Sequence, residues 1–161
     1  MTINDPNFQT LGHCFFSLSL PVEVETWVQQ ENWVALDQWL SDQVQSTGLI
    51  GQKLSHYLNN YSVEHIISLR TSPDEDGIWH DDGSRDLAFS LSLNPLPESI
   101  KGGDLAMRKK DSPHLETLIP AQKWGTLILF LTGKQGFEHK TCAVEAGKRL
   151  VAAGWATERS S

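Results

Sequence analysis

The sequence predicts a mainly β fold: an antiparallel sandwich or barrel with helices packed against one side. Three observations carry that reading. From Tyr61 to the C-terminus, short apolar runs recur with near two-residue periodicity. Turn residues separate them: Gly77, Pro95, Pro97, Gly102-Gly103, Pro113, Pro120, Gly133, Gly136 and Gly147. Ahead of these runs, between residues 22 and 58, the apolar spacing widens to helical intervals.

In chain order, the first dozen residues are polar and predict nothing. His13 to Leu20 reads as a strand closed by Pro21. Val34, Leu36, Trp39, Leu40 and Val44 recur at helical spacing, and Leu49, Ile50, Leu54 and Leu58 continue after Gly48, so one or two amphipathic helices fit. Val63 to Leu69 is the next strand, followed by a turn from Ser72 to Gly77. Further strands are read at Ile78–Asp82, Leu87–Leu93, Leu105–Arg108, Leu115–Ile119, Trp124–Leu131 and Arg149–Trp155. No repeat, low-complexity tract or linker interrupts the chain. It reads as one domain, 1–161, with helical support over about 22–58 and a β core over about 61–157.

A formal charge of −7 argues against nucleic acid as a partner, because phosphate backbones attract an excess of Lys and Arg. Arg108-Lys109-Lys110 is the one basic cluster, and Asp111 follows it at once, which reads as a solvated turn. Cys14 and Cys142 form no CxxC pair and are too few for a disulfide framework. No basic leader precedes an apolar run, and no stretch reaches membrane-spanning length. A cytoplasmic protein with no membrane association is the expectation.

His80 and Asp82 stand two residues apart, which on a strand puts an imidazole and a carboxylate on one face and Asp81 on the other. Two histidines and a carboxylate on one side of a metal leave positions open opposite, the arrangement of non-haem Fe(II) oxygenases. The spacing alone is weak evidence and favours the blander reading, a surface histidine beside two acids after a turn. The C-terminal segment adds more. Trp124 to Phe130 reads as a buried strand, His139 follows it, and Arg149 stands ten positions further on at the start of another strand.

At this point the chain resembles the prolyl 4-hydroxylase-like branch of the 2-oxoglutarate/Fe(II) dioxygenases, whose pattern is HxD, a long interval, a second histidine, and then a basic residue. His80-Asp81-Asp82, His139 and Arg149 match in order. His139 to Arg149 is similar to the family's H-x-x-x-P-V-x-x-G-x-[RK] run, with Ala143 in place of the proline. Ser92-Leu93-Asn94 resembles a strand end that is commonly Tyr-Leu-Asn, and Gly102-Gly103-Asp104-Leu105 resembles Gly-Gly-Glu-Leu. The resemblance spans roughly residues 61–157.

The resemblance implies a double-stranded β-helix (jelly-roll) core with the N-terminal helices packed outside. It implies that His80, Asp82 and His139 ligate Fe(II) and that Arg149 holds the distal carboxylate of 2-oxoglutarate, with Ser92 a further contact in place of the tyrosine. The implied reaction consumes dioxygen and converts the keto acid to succinate and carbon dioxide, with ascorbate a candidate reductant. An aspartate ligand points to hydroxylation rather than halogenation. The substrate would be a protein side chain of prolyl type, or a small amino acid or metabolite. Two alternatives stand beside this: a non-catalytic metal-binding member of the fold, and a cupin-type iron oxygenase that does not use 2-oxoglutarate.

The nucleic-acid demethylases of the superfamily carry R-x-N-x-T-x-R after the second histidine, and Arg149 to Trp155 does not match. Ser90 and Ser92 share a strand face, which could line a pocket or face solvent. Arg70 could contact an acidic ligand or pair with Asp74 or Asp76. Trp155 could floor the cosubstrate pocket or belong to the core. His13, His56, His65 and His114 read as structural or exposed, and Cys142 as a core thiol.

Overall fold

The computed structural model describes residues 5–159. It opens on a helix, α1 (Pro6–Leu11), in a stretch whose sequence predicts nothing. Asp5 caps it by accepting from the N–H groups of Asn7 and Phe8, and Gly12 closes it with φ 77°. Strand β1 (His13–Ser17) follows. Three helices then occupy the region where spacing predicts one or two: α2 (Val22–Gln29), α3 (Trp33–Gln43) and α4 (Leu49–Leu54). The first break falls at Glu31, which takes φ 53°, and at Asn32, whose side chain accepts from the Ala35 N–H and starts α3.

The remaining strands are β2 (Tyr61–Thr71), β3 (Leu87–Ser92), β4 (Lys101–Gly102), β5 (Leu105–Lys109), β6 (Glu116–Ile119), β7 (Thr126–Leu131), β8 (Phe137–Thr141), β9 (Val144–Ala146) and β10 (Lys148–Glu158). They form a five-stranded sheet in the order β1-β7-β3-β10-β2, a three-stranded sheet β6-β5-β8, and the pair β4-β9. Every pairing is antiparallel. This is a jelly roll with helices on one side, as the sequence predicts. One expected strand is absent: around Ile78–Asp82 there is only an isolated bridge at His80.

The register sorts the two faces of the large sheet. Leu87, Phe89 and Leu91 lie opposite Leu131, Leu129 and Leu127 on one side, and opposite Ala156, Gly154 and Ala152 on the other. Opposed residues share a face, so across β7, β3 and β10 these positions form an apolar surface. The helical region covers it: His65 reaches Asp37 of α3, and Cys14 reaches the Tyr57 hydroxyl. Leu36, Leu40, Ile50 and Leu54 are fully buried in the same cluster. The opposite face carries Ala88, Ser90 and Ser92 of β3, Phe130 and Ile128 of β7, and Arg149, Val151, Ala153 and Trp155 of β10. It looks toward the small sheet, where the Phe130 ring meets His139 of β8 at 4.9 Å. Covered on both sides, β3 and β7 are buried at all their positions. Ser90 and Ser92 therefore face the interior between the sheets and not solvent.

Candidate metal and cosubstrate site

His139 enters the space between the sheets from β8, opposite Met107 of β5. His80 is bound beside it by reciprocal backbone hydrogen bonds, His80 N–H to the His139 carbonyl at 3.1 Å and His139 N–H to the His80 carbonyl at 2.9 Å. The two rings lie 4.3 Å apart, centroid to centroid. Asp82 completes the group, but not by the strand alternation that the sequence predicts. Its φ is 58°, so the backbone turns out of the extended conformation one residue after Asp81. Aspartate tolerates this left-handed conformation better than most residues, and Gly83 repeats it at 61°. Arg85 closes the turn, its N–H and its guanidinium both reaching the Asp82 carbonyl at 3.4 Å.

The turn sets one carboxylate between two imidazoles. Asp82 Oδ1 is 3.4 Å from His80 Nε2, and Oδ2 is 3.3 Å from His139 Nε2. Candidate ligand atoms of the three residues all lie within 4.8 Å of one another. His80 Nδ1 stands 2.7 Å from the Ile78 carbonyl, so that nitrogen carries the proton and Nε2 presents its lone pair to the carboxylate. Burial, with His80 close by, pushes the His139 pKa down to about 4 against the opposing pull of Asp82. The His139 ring is thus neutral at neutral pH, the form in which an imidazole can bind a metal. Asp82 Oδ2 and His139 Nδ1 are both buried with no hydrogen-bond partner. The donor set of two imidazoles and one carboxylate fits Fe(II).

Arg149 begins the inner face of β10 and is 6 % exposed. Its Nε has no partner, and among the described residues no acidic side chain pairs with its guanidinium. Burial, and then the proximity of Arg70, draws its pKa down to about 10, which leaves it charged at neutral pH. A buried cation is costly, and the charge of nearby Asp104 offsets that cost only in part, without forming an ion pair among the described residues. Gly103 makes the room: a Cβ there would lie 2.9 Å from Arg149 Cδ. Arg70, opposite Arg149 in the β2–β10 register, is already engaged, with Asp74 at 2.5 Å and the Thr141 and Glu75 carbonyls completing its fork.

Ser92 is only 3 % exposed. Its hydroxyl donates to the Gln122 carbonyl at 2.6 Å and accepts from Asn94 Nδ2 at 2.9 Å. Asn94 in turn accepts the Leu150 N–H at 2.6 Å, tying the end of β3 to β10 next to Arg149. Trp155 is partly buried on the inner face, with the Arg85 guanidinium 6.0 Å over its ring. Arg85 and Asn94 are the residues that sequence reasoning missed as parts of this site. Asn94 stood in a quoted motif, whereas Arg85 carried no local signal. A groove of about 410 Å³ lined by Trp33, Leu69, Leu96 and Leu150 shares none of the candidate ligand residues.

Comparison with known proteins is consistent with this geometry. No curated protein matches the sequence. Among solved structures, a prolyl-4-hydroxylase from Pseudomonas putida shares the fold with a TM-score of 0.66 and 22 % identity, over 96 % of this chain and 92 % of that one. A prolyl hydroxylase from Trichoplax adhaerens, solved with a peptide of the hypoxia inducible factor oxygen degradation domain, gives a TM-score of 0.58 at 17 % identity, over 94 % and 86 %. HygX from Streptomyces hygroscopicus, solved with nickel and 2-oxoglutarate, gives 0.62 at 11 %, over 94 % and 84 %. The family model described as the 2OG-Fe(II) oxygenase superfamily matches residues 58–157, the stretch from the end of the helical region through nearly all of β10. With iron and 2-oxoglutarate as its cofactor and cosubstrate, the chain belongs to the 2OG-Fe(II) oxygenase superfamily.

Proposed function

We propose that His80, Asp82 and His139 hold the iron, that Arg149 binds the distal carboxylate of 2-oxoglutarate, and that the enzyme hydroxylates a prolyl-type protein side chain or a small amino acid or metabolite. The observation that carries this reading is the buried, unpaired Arg149 on the sheet face that looks toward the His80-Asp82-His139 group. When bound, iron and the keto acid supply the oxidising chemistry, in which 2-oxoglutarate is decarboxylated to succinate as dioxygen is reduced and substrate oxidised.

The protein's own residues bind and orient. The Ile78 carbonyl engages His80 Nδ1 and orients the ring, which leaves Nε2 to face the metal position. The guanidinium of Arg149 offers a two-pronged grip on a carboxylate, and its burial excludes water from that contact. Ser92 adds a hydroxyl from the same face, and a bond from it to the cosubstrate would replace its bond to Gln122. His80 is half exposed where His139 and Asp82 are buried, so substrate approaches past the His80 side. A peptide-sized ligand is supported by the Trichoplax enzyme's peptide complex, and the free thiols of Cys14 and Cys142 suit a reducing, cytoplasmic setting.

Anaerobic titration with Fe(II) and 2-oxoglutarate tests the site. A visible charge-transfer band is expected in the wild type, weaker in Arg149→Ala and absent in His139→Ala. A wild-type band unaffected by Arg149→Ala would sink the cosubstrate assignment and move a keto-acid-free oxygenase ahead. Succinate release driven by proline-containing peptides, compared with free amino acids, then separates the two substrate classes.

A further inference from the structure

The basic run Arg108-Lys109-Lys110 reads from sequence as a solvated turn, yet two of its side chains grip the segment that carries His80 and Asp82. Arg108 is on β5 directly opposite Glu138 of β8, one residue before His139, and on the sheet face away from that ring. Its Nε lies 3.0 Å from Glu138 Oε2. The same guanidinium stacks over the Trp79 ring at 4.0 Å, and Trp79 is the residue before His80. Lys140, the residue after His139, approaches the Trp79 ring at 5.5 Å. Lys110 pairs with Asp81, between the two ligands, whose carbonyl also accepts the Gly133 N–H at 2.7 Å.

We propose that Arg108 is a positioning residue for the metal site, a staple that binds from behind the two segments carrying His80 and His139; this rests on those histidines being metal ligands. Successive residues of an extended chain point to opposite sides, so holding Trp79 and Glu138 on the outside keeps His80 and His139 turned inward. The staple matters most for His80. That residue has no ladder on either side, only one bridge to β8, and its side chain is 52 % exposed. A cation stacked on a tryptophan face, with its second edge on a carboxylate, restrains both segments without touching metal or keto acid. Lys110 on Asp81 adds a second, more exposed restraint.

The test is a titration of metal-free protein with Mn(II), followed by the electron paramagnetic resonance signal of the unbound ion, with thermal melting of the metal-free form beside it. Arg108→Gln is expected to bind Mn(II) about tenfold more weakly, the usual scale for a residue that orients a ligand. Arg108→Lys, which keeps the charge but not the planar stack, is expected to recover part of that loss. Lys109→Gln removes the same charge from the same strand end, where Lys109 lies over Phe137 at 5.7 Å, and is expected to bind like wild type. Arg108→Gln binding Mn(II) as tightly as wild type, while His139→Ala does not bind, would overturn the staple and leave the ligand assignment standing. Wild type and His139→Ala that both fail to bind would overturn the ligand assignment, and the staple with it. If Arg108→Gln does not fold, Trp79→Leu decides by the same titration, since it removes the stack without stranding a charge.

Discussion

The residues of the site are held in two different ways. His139 and Arg149 stand on β8 and β10, where ladder hydrogen bonds and the register with β5, β3 and β2 fix each backbone before any side chain acts. His80 and Asp82 belong to an irregular stretch, 72–86, between β2 and β3, with one bridge and a left-handed turn. Scattered backbone bonds at Ser72, Gly77, Asp81 and Asp86 touch that stretch, and side chains add the rest: Arg70 on Asp74, Asp76 on the Ala143 N–H and Lys140, Arg108 on Trp79, Lys110 on Asp81, and Arg85 on the Asp82 carbonyl. One half of the site thus shares the stability of the core, and the other half can loosen while the core stays folded.

If that contrast is right, damage to the ladder-held half appears as lost global stability. Phe130 is buried on β7 with its ring against His139. Phe130→Ala is expected to lower unfolding free energy by about 3–5 kcal/mol, read by denaturant titration. A cost below about 1 kcal/mol would mean that the region relaxes freely and that the core does not hold His139. Gly103 sharpens the comparison, because its effect is confined to the cosubstrate end. Gly103→Ala puts a Cβ against Arg149 Cδ at a residue with φ 73°. Affinity for 2-oxoglutarate should fall on the order of tenfold, or about 1.4 kcal/mol, with Mn(II) affinity unchanged. Unchanged keto-acid affinity would show that Arg149 does not need its present path past Gly103.

The contrast also explains what could be read in the sequence. An antiparallel sandwich or barrel under a helical cover was legible because most strands and the helices repeat their own apolar patterns. The jelly roll came from the family resemblance, and the short or polar strands β4, β8 and β9 gave no such signal. His80, Asp82, His139 and Arg149 were legible as a pattern along the chain. The path of the backbone through Asp82 was not, since residue spacing carries no information about a left-handed turn. Ser92 and Asn94 could be quoted as a motif, but their hydrogen bonds run to Gln122 and Leu150, far off in sequence. Helix α1 depends on the Asp5 cap and not on periodicity, so a polar stretch concealed it. The tethers on 72–86 were the least visible, because Arg108 and Trp79, or Lys110 and Asp81, meet only once the β5–β6 hairpin has folded beside that segment.

The smallest effect expected is the one that isolates a single tether. Asp76 accepts the Ala143 N–H at 2.8 Å and pairs with Lys140 at 3.0 Å, and these, the backbone bond first, hold its carboxyl below the usual carboxylate range. A carboxyl whose pKa is depressed by folding contributes stability that is present above its unfolded value, about 3.9, and is lost as the pH falls through the lower folded value. Asparagine at 76 keeps an oxygen for Ala143 but not the charge for Lys140. Asp76→Asn should therefore melt slightly below wild type at neutral pH, and the two curves should converge in acid once Asp76 is protonated. Because Lys140 also approaches Trp79, Mn(II) affinity should weaken alongside, by less than in Arg108→Gln. A melting difference that persisted unchanged in acid would show that the carboxylate's charge is not what ties this stretch to β8, and the division between ladder-held and tether-held ligands would lose its electrostatic half.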